Sequence, residues 1–100
     1  MKCGLLIRSR AETDITEAAL WYEQHHQGFG EEFLQEVGHA IDRSRQNPRA
    51  FQIIRRKHEV RRAVTRRFPY LVFFSLRGAT VIVHTVLHGS QHERRLDERL

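Results

Sequence analysis

One hundred residues amount to one small domain, and 40% apolar content with nine aromatic residues argues for a folded chain and against general disorder. Lys and Arg total 17 against 12 Asp and Glu, a net charge of +5, and nearly all of the positive charge is arginine. No apolar run approaches the roughly 18 residues of a transmembrane helix, and a lone Cys3 permits no internal disulfide.

The apolar stretch before Arg8 is too short for a signal-peptide core and reads as a strand, Leu5-Leu6-Ile7. A cytoplasmic location without membrane contact is therefore expected, and a single cysteine suits a reducing compartment. Ser9-Arg10-Ala11-Glu12 has the form of a capping box, in which the hydroxyl and the carboxylate would satisfy N–H groups at a helix start. Ile15, Ala18, Ala19 and Tyr22 then recur at helical spacing, and this helix should end near His26, before Gly28. Gly28-Phe29-Gly30 reads as a tight turn, followed by Glu31 and Glu32 where carboxylates favour a helix N-terminus. Phe33, Val37, Ala40 and Ile41 mark the buried face of a second helix, with Leu34 at its edge. Arg43 and Arg45 sit near the C-terminal end, and Asn47-Pro48 closes it. So short a connection predicts an antiparallel helical hairpin.

The period then changes. Val60 to Arg67 is compatible with a strand, and Tyr70 to Leu76 is apolar on both faces, which predicts a central strand. Arg77-Gly78 makes a tight turn into the strand Thr80–Leu87, which ends before Gly89. The charged stretch Gln91–Leu100 fits a short terminal helix or an irregular end. The expected fold is α+β, a single domain over residues 1–100 in the order β-α-α-β-β-β. Its helical hairpin should pack on one face of a mainly antiparallel sheet.

Three groups of residues could carry chemistry. Seven of the thirteen residues from 55 to 67 are Lys or Arg: Arg55, Arg56, Lys57, Arg61, Arg62, Arg66 and Arg67. On an uninterrupted strand Arg62 and Arg66 project to one face, and Arg61, Thr65 and Arg67 to the other. Guanidinium forks grip phosphate and carboxylate, so the row could hold nucleic acid or an acidic protein; the competing reading is an edge strand protected by charge. The second group is His84, His88 and His92, followed by Arg94 and Arg95. His84 and His88 would share a strand face, and His88 could act as acid or base on RNA with the two arginines beside it. The competing reading packs His84 in the sheet and has His88 close the strand through the backbone. The third group is aromatic: Trp21-Tyr22 and Phe68-Pro69-Tyr70, more often core than base-stacking platforms. Asp14 and Glu23 read as solvated. No metal site and no cofactor is expected.

Taken in order, these pieces resemble the ParE-type toxins of the ParE/RelE superfamily. The resemblance rests on Ala18, Trp21-Tyr22-Glu23 and Gly28-Phe29-Gly30-Glu31-Glu32-Phe33-Leu34, then on Arg61-Arg62-Ala63 and Arg66-Arg67-Phe68-Pro69-Tyr70-Leu71-Val72-Phe73-Phe74. Val81-Ile82-Val83 and Val86-Leu87-His88-Gly89 complete it. It implies a toxin of a type II toxin–antitoxin pair that stops growth and is neutralised by a cognate antitoxin. ParE-like members poison DNA gyrase by binding, and Arg61, Arg62, Arg66, Arg67, Arg94 and Arg95 would then form the target or antitoxin contact. The alternative is a RelE-like endoribonuclease that cuts mRNA on the ribosome, with His88 catalytic. RelE-like nucleases often carry a tyrosine near the C-terminus, whereas the tyrosines here are Tyr22 and Tyr70, which favours the ParE-like reading.

Overall fold

The computed structural model describes residues 2–100, with the side chains of residues 92 and 93 outside that description. Strand β1 (Gly4–Ile7) leads into helix α1 (Ser9–His25), and helix α2 (Phe29–Gln46) returns against it. Four strands follow: β2 (Ile53–Arg55), β3 (Val60–Val64), β4 (Tyr70–Arg77) and β5 (Thr80–His88), and helix α3 (His92–Arg99) closes the order. The sheet runs β1-β5-β4-β3-β2, with β1 parallel to β5 and the other pairs antiparallel. The expected α+β architecture and the central place of Tyr70–Leu76 are thus observed; the three-residue β2 is an edge addition that its short sequence did not announce.

The hairpin turns where two glycines allow it. Gly28 takes the left-handed conformation, φ 91°, that side chains disfavour. Gly30 lies inside the first turn of α2, where an added Cβ would stand 2.8 Å from the Ala19 carbonyl oxygen, so α1 and α2 approach backbone to backbone. The Glu23 carboxylate accepts from both the Gly28 and Gly30 N–H groups at 3.1 Å and caps α2 from the end of α1. Glu23 is therefore a cap rather than a merely solvated charge. The capping box expected at Ser9 does not form: Ser9 is already helical, and Arg8 precedes the helix with its carbonyl accepting from the Glu12 N–H.

At the far end of α2, two arginines tie the helix to the sheet. Arg43 donates to the Val64 carbonyl at 2.8 Å, and Arg45 Nε donates to the Cys3 carbonyl at 2.9 Å. The buried face of the hairpin (Ala11, Ala18, Phe33, Val37, Ala40 and Ile41) meets Ala63, Val72, Phe74, Val81, Val83 and Val86 of the sheet. The opposite sheet face is not open. Leu96 of α3 is fully buried over Val60, Phe73 and Leu87, so both faces of β4 are covered, as its apolar run requires.

Strand β3 stops at Val64, and the expected extension to Arg67 is replaced by a turn through residues 65–69. Thr65 builds this turn: its hydroxyl donates to the Phe68 and Tyr70 carbonyls, and its N–H to the Tyr70 carbonyl at 3.2 Å. The pairing of β4 with β5 also slips. Phe73 faces Thr85 while Phe74 faces Val83, so His84 is an extra residue, a β-bulge. The bulge reverses the alternation of β5. It lets Val83 and Val86 both face the hairpin while Leu87 faces α3.

Candidate functional site

Helix α1, the ends of β4 and β5, and α3 enclose an open cleft of about 640 Å³. A polar knot positions its walls. Strand β1 pairs with β5 only as far as Val83, so the edge of β5 beyond that point needs another partner. Asp14 supplies it: the carboxylate accepts the Val86 N–H at 3.1 Å and the Thr85 hydroxyl. Arg99 of α3 reaches round the same edge, donating to the second Asp14 oxygen and to Thr85 Oγ1. Both charged side chains are nearly excluded from solvent, at 7% exposure for Asp14 and 8% for Arg99. Asp14, expected to be solvated, is therefore the buried junction of α1, β5 and α3. Helical periodicity does not reveal it, because the residue serves a strand edge that only tertiary structure creates.

A row of aromatic rings lines the cleft. Tyr22 meets Trp21 edge-on at 5.2 Å and Tyr70 at 6.1 Å, and Tyr70 meets the His88 ring at 5.4 Å. Tyr22 also packs on Phe33 and Phe68, and Tyr70 on Phe33, so their inner faces belong to the core, as their sequence context suggests. Trp21 does not; it is 54% exposed and stacks on His25 at 3.8 Å. Burial raises the proton affinity of both phenols, with the Tyr22 and Asp14 charges adding to the effect at Tyr70. Both therefore remain neutral hydroxyls near pH 7.

His88 ends β5 on the hairpin side. Its Nδ1 accepts the Ser90 N–H at 3.1 Å and lies 2.8 Å from the Ser90 hydroxyl, which places the proton of the neutral ring on Nε2. This is the strand-closing backbone bond weighed above, and it leaves the ring on the cleft wall with Arg95. His84 lies on the other sheet face, not the same one, because the bulge falls between them. It is 4% exposed. Arg8, always a donor, gives a hydrogen bond to its Nδ1 at 3.2 Å, so Nε2 carries the proton and donates to Ser75 Oγ at 2.8 Å. Burial first, then the charges of Arg8, His58 and Arg77, hold the His84 pKa down at about 4. The His92 side chain lies outside the described residues.

The arginines disperse. Arg61 is buried, donating to the Phe51 carbonyl at 2.8 Å and so holding the segment after α2. Arg62 pairs opposite Phe73, on the α3 side of the sheet. Arg66 and Arg67 sit on the turn after β3 and not on a strand. Arg66 borders α2 near Glu36 and Asp42, and Arg67 pairs with Glu32 at 3.3 Å and lies over the Phe68 ring. Arg55 pairs with Asp97 of α3 at 3.1 Å. Arg94 and Arg95 are exposed on α3, and Arg95 alone of the contact set enters the aromatic cleft.

This cleft offers aromatic rings with neutral hydroxyls, the His88 imidazole, the exposed Arg95 guanidinium, the Glu17 carboxylate and the paired Asp14 and Arg99, a composition suited to gripping a partner's side chains. The fold is an α+β domain of helical hairpin on sheet. Comparison with known proteins agrees: residues 5–93 match the ParE toxin of type II toxin-antitoxin system, parDE. The chain belongs to this ParE toxin family. Among solved structures it is similar to a chain of a chromosomal ParDE TA system from P. aeruginosa, with a TM-score of 0.76 over 87% of this chain and 96% of that one. At 13% identity that likeness speaks for the shared fold. No curated protein matches the chain. No helix of the described residues is long and apolar enough to cross a membrane.

Proposed function

We propose that this toxin arrests growth in the cytoplasm by binding DNA gyrase, without covalent chemistry of its own, and that a cognate antitoxin neutralises it. The observation that carries this reading is the dispersal of the arginines. RNA cleavage at His88 calls for several cations around one phosphate. Here Arg61 is spent on backbone carbonyls, Arg66 and Arg67 lie against α2, and only Arg95 of the set shares the cleft with His88. The contact residues of the proposal are Arg62, Arg66, Arg67, Arg94 and Arg95 at the surface, with Arg61 supporting them from beneath. The antitoxin segment would combine acidic residues with apolar anchors. The +5 charge favours the former, and exposed Leu20, Trp21 and Leu34 on the hairpin favour the latter.

Pulse-labelling of bacteria minutes after induction separates the targets. An early fall in thymidine incorporation with leucine incorporation sustained is expected, followed by loss of supercoiling activity by purified gyrase. An immediate fall in leucine incorporation, with mRNA cut on ribosomes and protection by His88→Ala, would establish the endoribonuclease reading instead. Paired replacement of Arg94 and Arg95 by Glu is expected to abolish growth arrest; retained toxicity would remove these residues from the contact.

A further inference from the structure

A second cleft, of about 390 Å³, opens on the sheet face away from the hairpin. Ile82 and His84 of β5 form its floor. Three basic side chains from separate stretches reach its rim: Arg8 at the junction of β1 and α1, His58 between β2 and β3, and Arg77 at the end of β4. Among the described residues, none of the three has a carboxylate within ion-pair distance, whereas Arg45, Arg55, Arg67 and Arg99 all do.

The site is built as well as basic. Arg8 is fixed by its hydrogen bond to His84, and His84 by Ser75, whose hydroxyl donates in turn to the His58 carbonyl at 2.7 Å. One chain of hydrogen bonds thus links a rim arginine, the floor and the segment bearing the other rim imidazole. That segment is strained: His58 and Glu59 both take positive φ, 64° and 44°, in consecutive non-glycine positions. Such conformations cluster where a side chain or carbonyl must be held in place. The bulge that delivers His84 to the floor is a second local distortion converging on the same point. Two guanidinium groups around one depression repel one another until an anion joins them. Burial first, and the same field after it, lower the proton affinity of His84.

We propose that this cleft binds a phosphate group, gripped by Arg8 and Arg77 with His58 at its side. A tetrahedral dianion offers oxygens to both forks and to the imidazole, which a single carboxylate does less well. The phosphate would be free or carried on a nucleotide. The site lies beside α3 on the sheet face away from the hairpin, and its lining shares no residue with the aromatic cleft.

The test is NMR of the histidine ring nitrogens during titration with inorganic phosphate at pH 7, with ionic strength held constant by sodium chloride. A saturable change at His84 and His58, with His88 unmoved, is expected at millimolar phosphate. The apparent pKa of His84 should rise on saturation, because the anion offsets Arg8, Arg77 and His58, the charged and titratable groups facing it; Ser75 and the Leu100 side of the cleft complete its surroundings. Arg77→Gln, on an exposed turn, should weaken binding at least tenfold with the spectrum otherwise native; Arg8→Gln should do the same, but also frees His84. Adenosine monophosphate binding tenfold more tightly than phosphate would identify a nucleotide as the source, and equal affinity the free ion. Shifts that do not saturate, that fall equally on all histidines, or that survive in Arg77→Gln would overturn the site.

Discussion

On the hairpin side of the sheet, Phe33, Val37, Ala40 and Ile41 of α2 join Ala11 and Ala18 of α1 over Val72, Phe74, Val81 and Val83; on the other side, α3 contributes the single fully buried Leu96 over Val60, Phe73 and Leu87. Stabilisation by apolar burial scales with the area removed from water, so the hairpin side dominates the stability of the fold. Among the described residues, helix α3 is held by the apolar anchor Leu96 and by two ion pairs, Asp14–Arg99 and Arg55–Asp97. Elements with few buried contacts open before the rest of a fold does. The aromatic cleft therefore has one rigid wall, α1, and one wall that can move, α3.

Substitutions sharpen this contrast. Phe33→Ala removes a fully buried ring that touches Tyr22, Phe68 and Tyr70, and about 4 kcal/mol of global stability should be lost in denaturant unfolding. Asp14→Ala leaves Arg99 buried without its partner and the Val86 N–H without an acceptor, a loss of about 3 kcal/mol. A double-mutant cycle with Arg99→Ala should show strong coupling, and additive effects would mean the pair is not joined as described. Leu96→Ala should cost about 2–3 kcal/mol, but its signature is local. Amide exchange should quicken across α3 and leave α2 protected. Equal acceleration in both helices would show that the two sides of the sheet unfold as one.

Much of this arrangement could be read from residue spacing. Apolar positions located both hairpin helices and the strands β4 and β5, whose inner residues are largely buried, whereas β3 was read three residues too long. Some of the misreadings come from a residue whose partner is far away in sequence. Asp14 meets β5 across 71 and 72 residues, and Arg99 across 85. Arg61 looks like a surface cation in a run of seven, yet burial converts it into a donor to backbone carbonyls. A one-residue bulge carries no compositional mark, and it was enough to send His84 and His88 to opposite faces. The cationic cleft was equally hidden, since Arg8, His58 and Arg77 belong to no common motif.

The α3 side of the sheet also contains a histidine with a displaced titration, and acidity should act there. With the folded pKa of His84 at about 4 and the unfolded value at 6.5, the folded protein favours the neutral ring. The unfolded chain binds the additional proton as pH falls between those values. Stability present above pH 6.5 is therefore lost down to pH 4, by up to about 3 kcal/mol at 1.36 kcal/mol per unit, and this group adds no further slope below. The cost is first that of charging a buried ring, and then that the protonated ring presents Nδ1–H to the Arg8 donor. His84→Gln should flatten the denaturant midpoint across that range. An unchanged pH profile would assign the dependence to other groups.

The smallest expected effect tests the hairpin side alone. Glu23 joins the two helices through its bonds to Gly28 and Gly30, but it does so at an exposed position where water can replace it. Glu23→Ala should therefore cost only about 1 kcal/mol, the usual range for a lost helix cap. Glu23→Gln keeps a side-chain carbonyl able to accept one N–H, and should recover part of that loss. The charge itself also faces the N-terminus of α2, so the Gln variant should stay below the parent, with a difference that shrinks as salt is raised. If the two variants unfold at the same denaturant concentration, the hydrogen bonds to the turn contribute nothing and the close approach at Gly30 alone sets the hairpin's geometry.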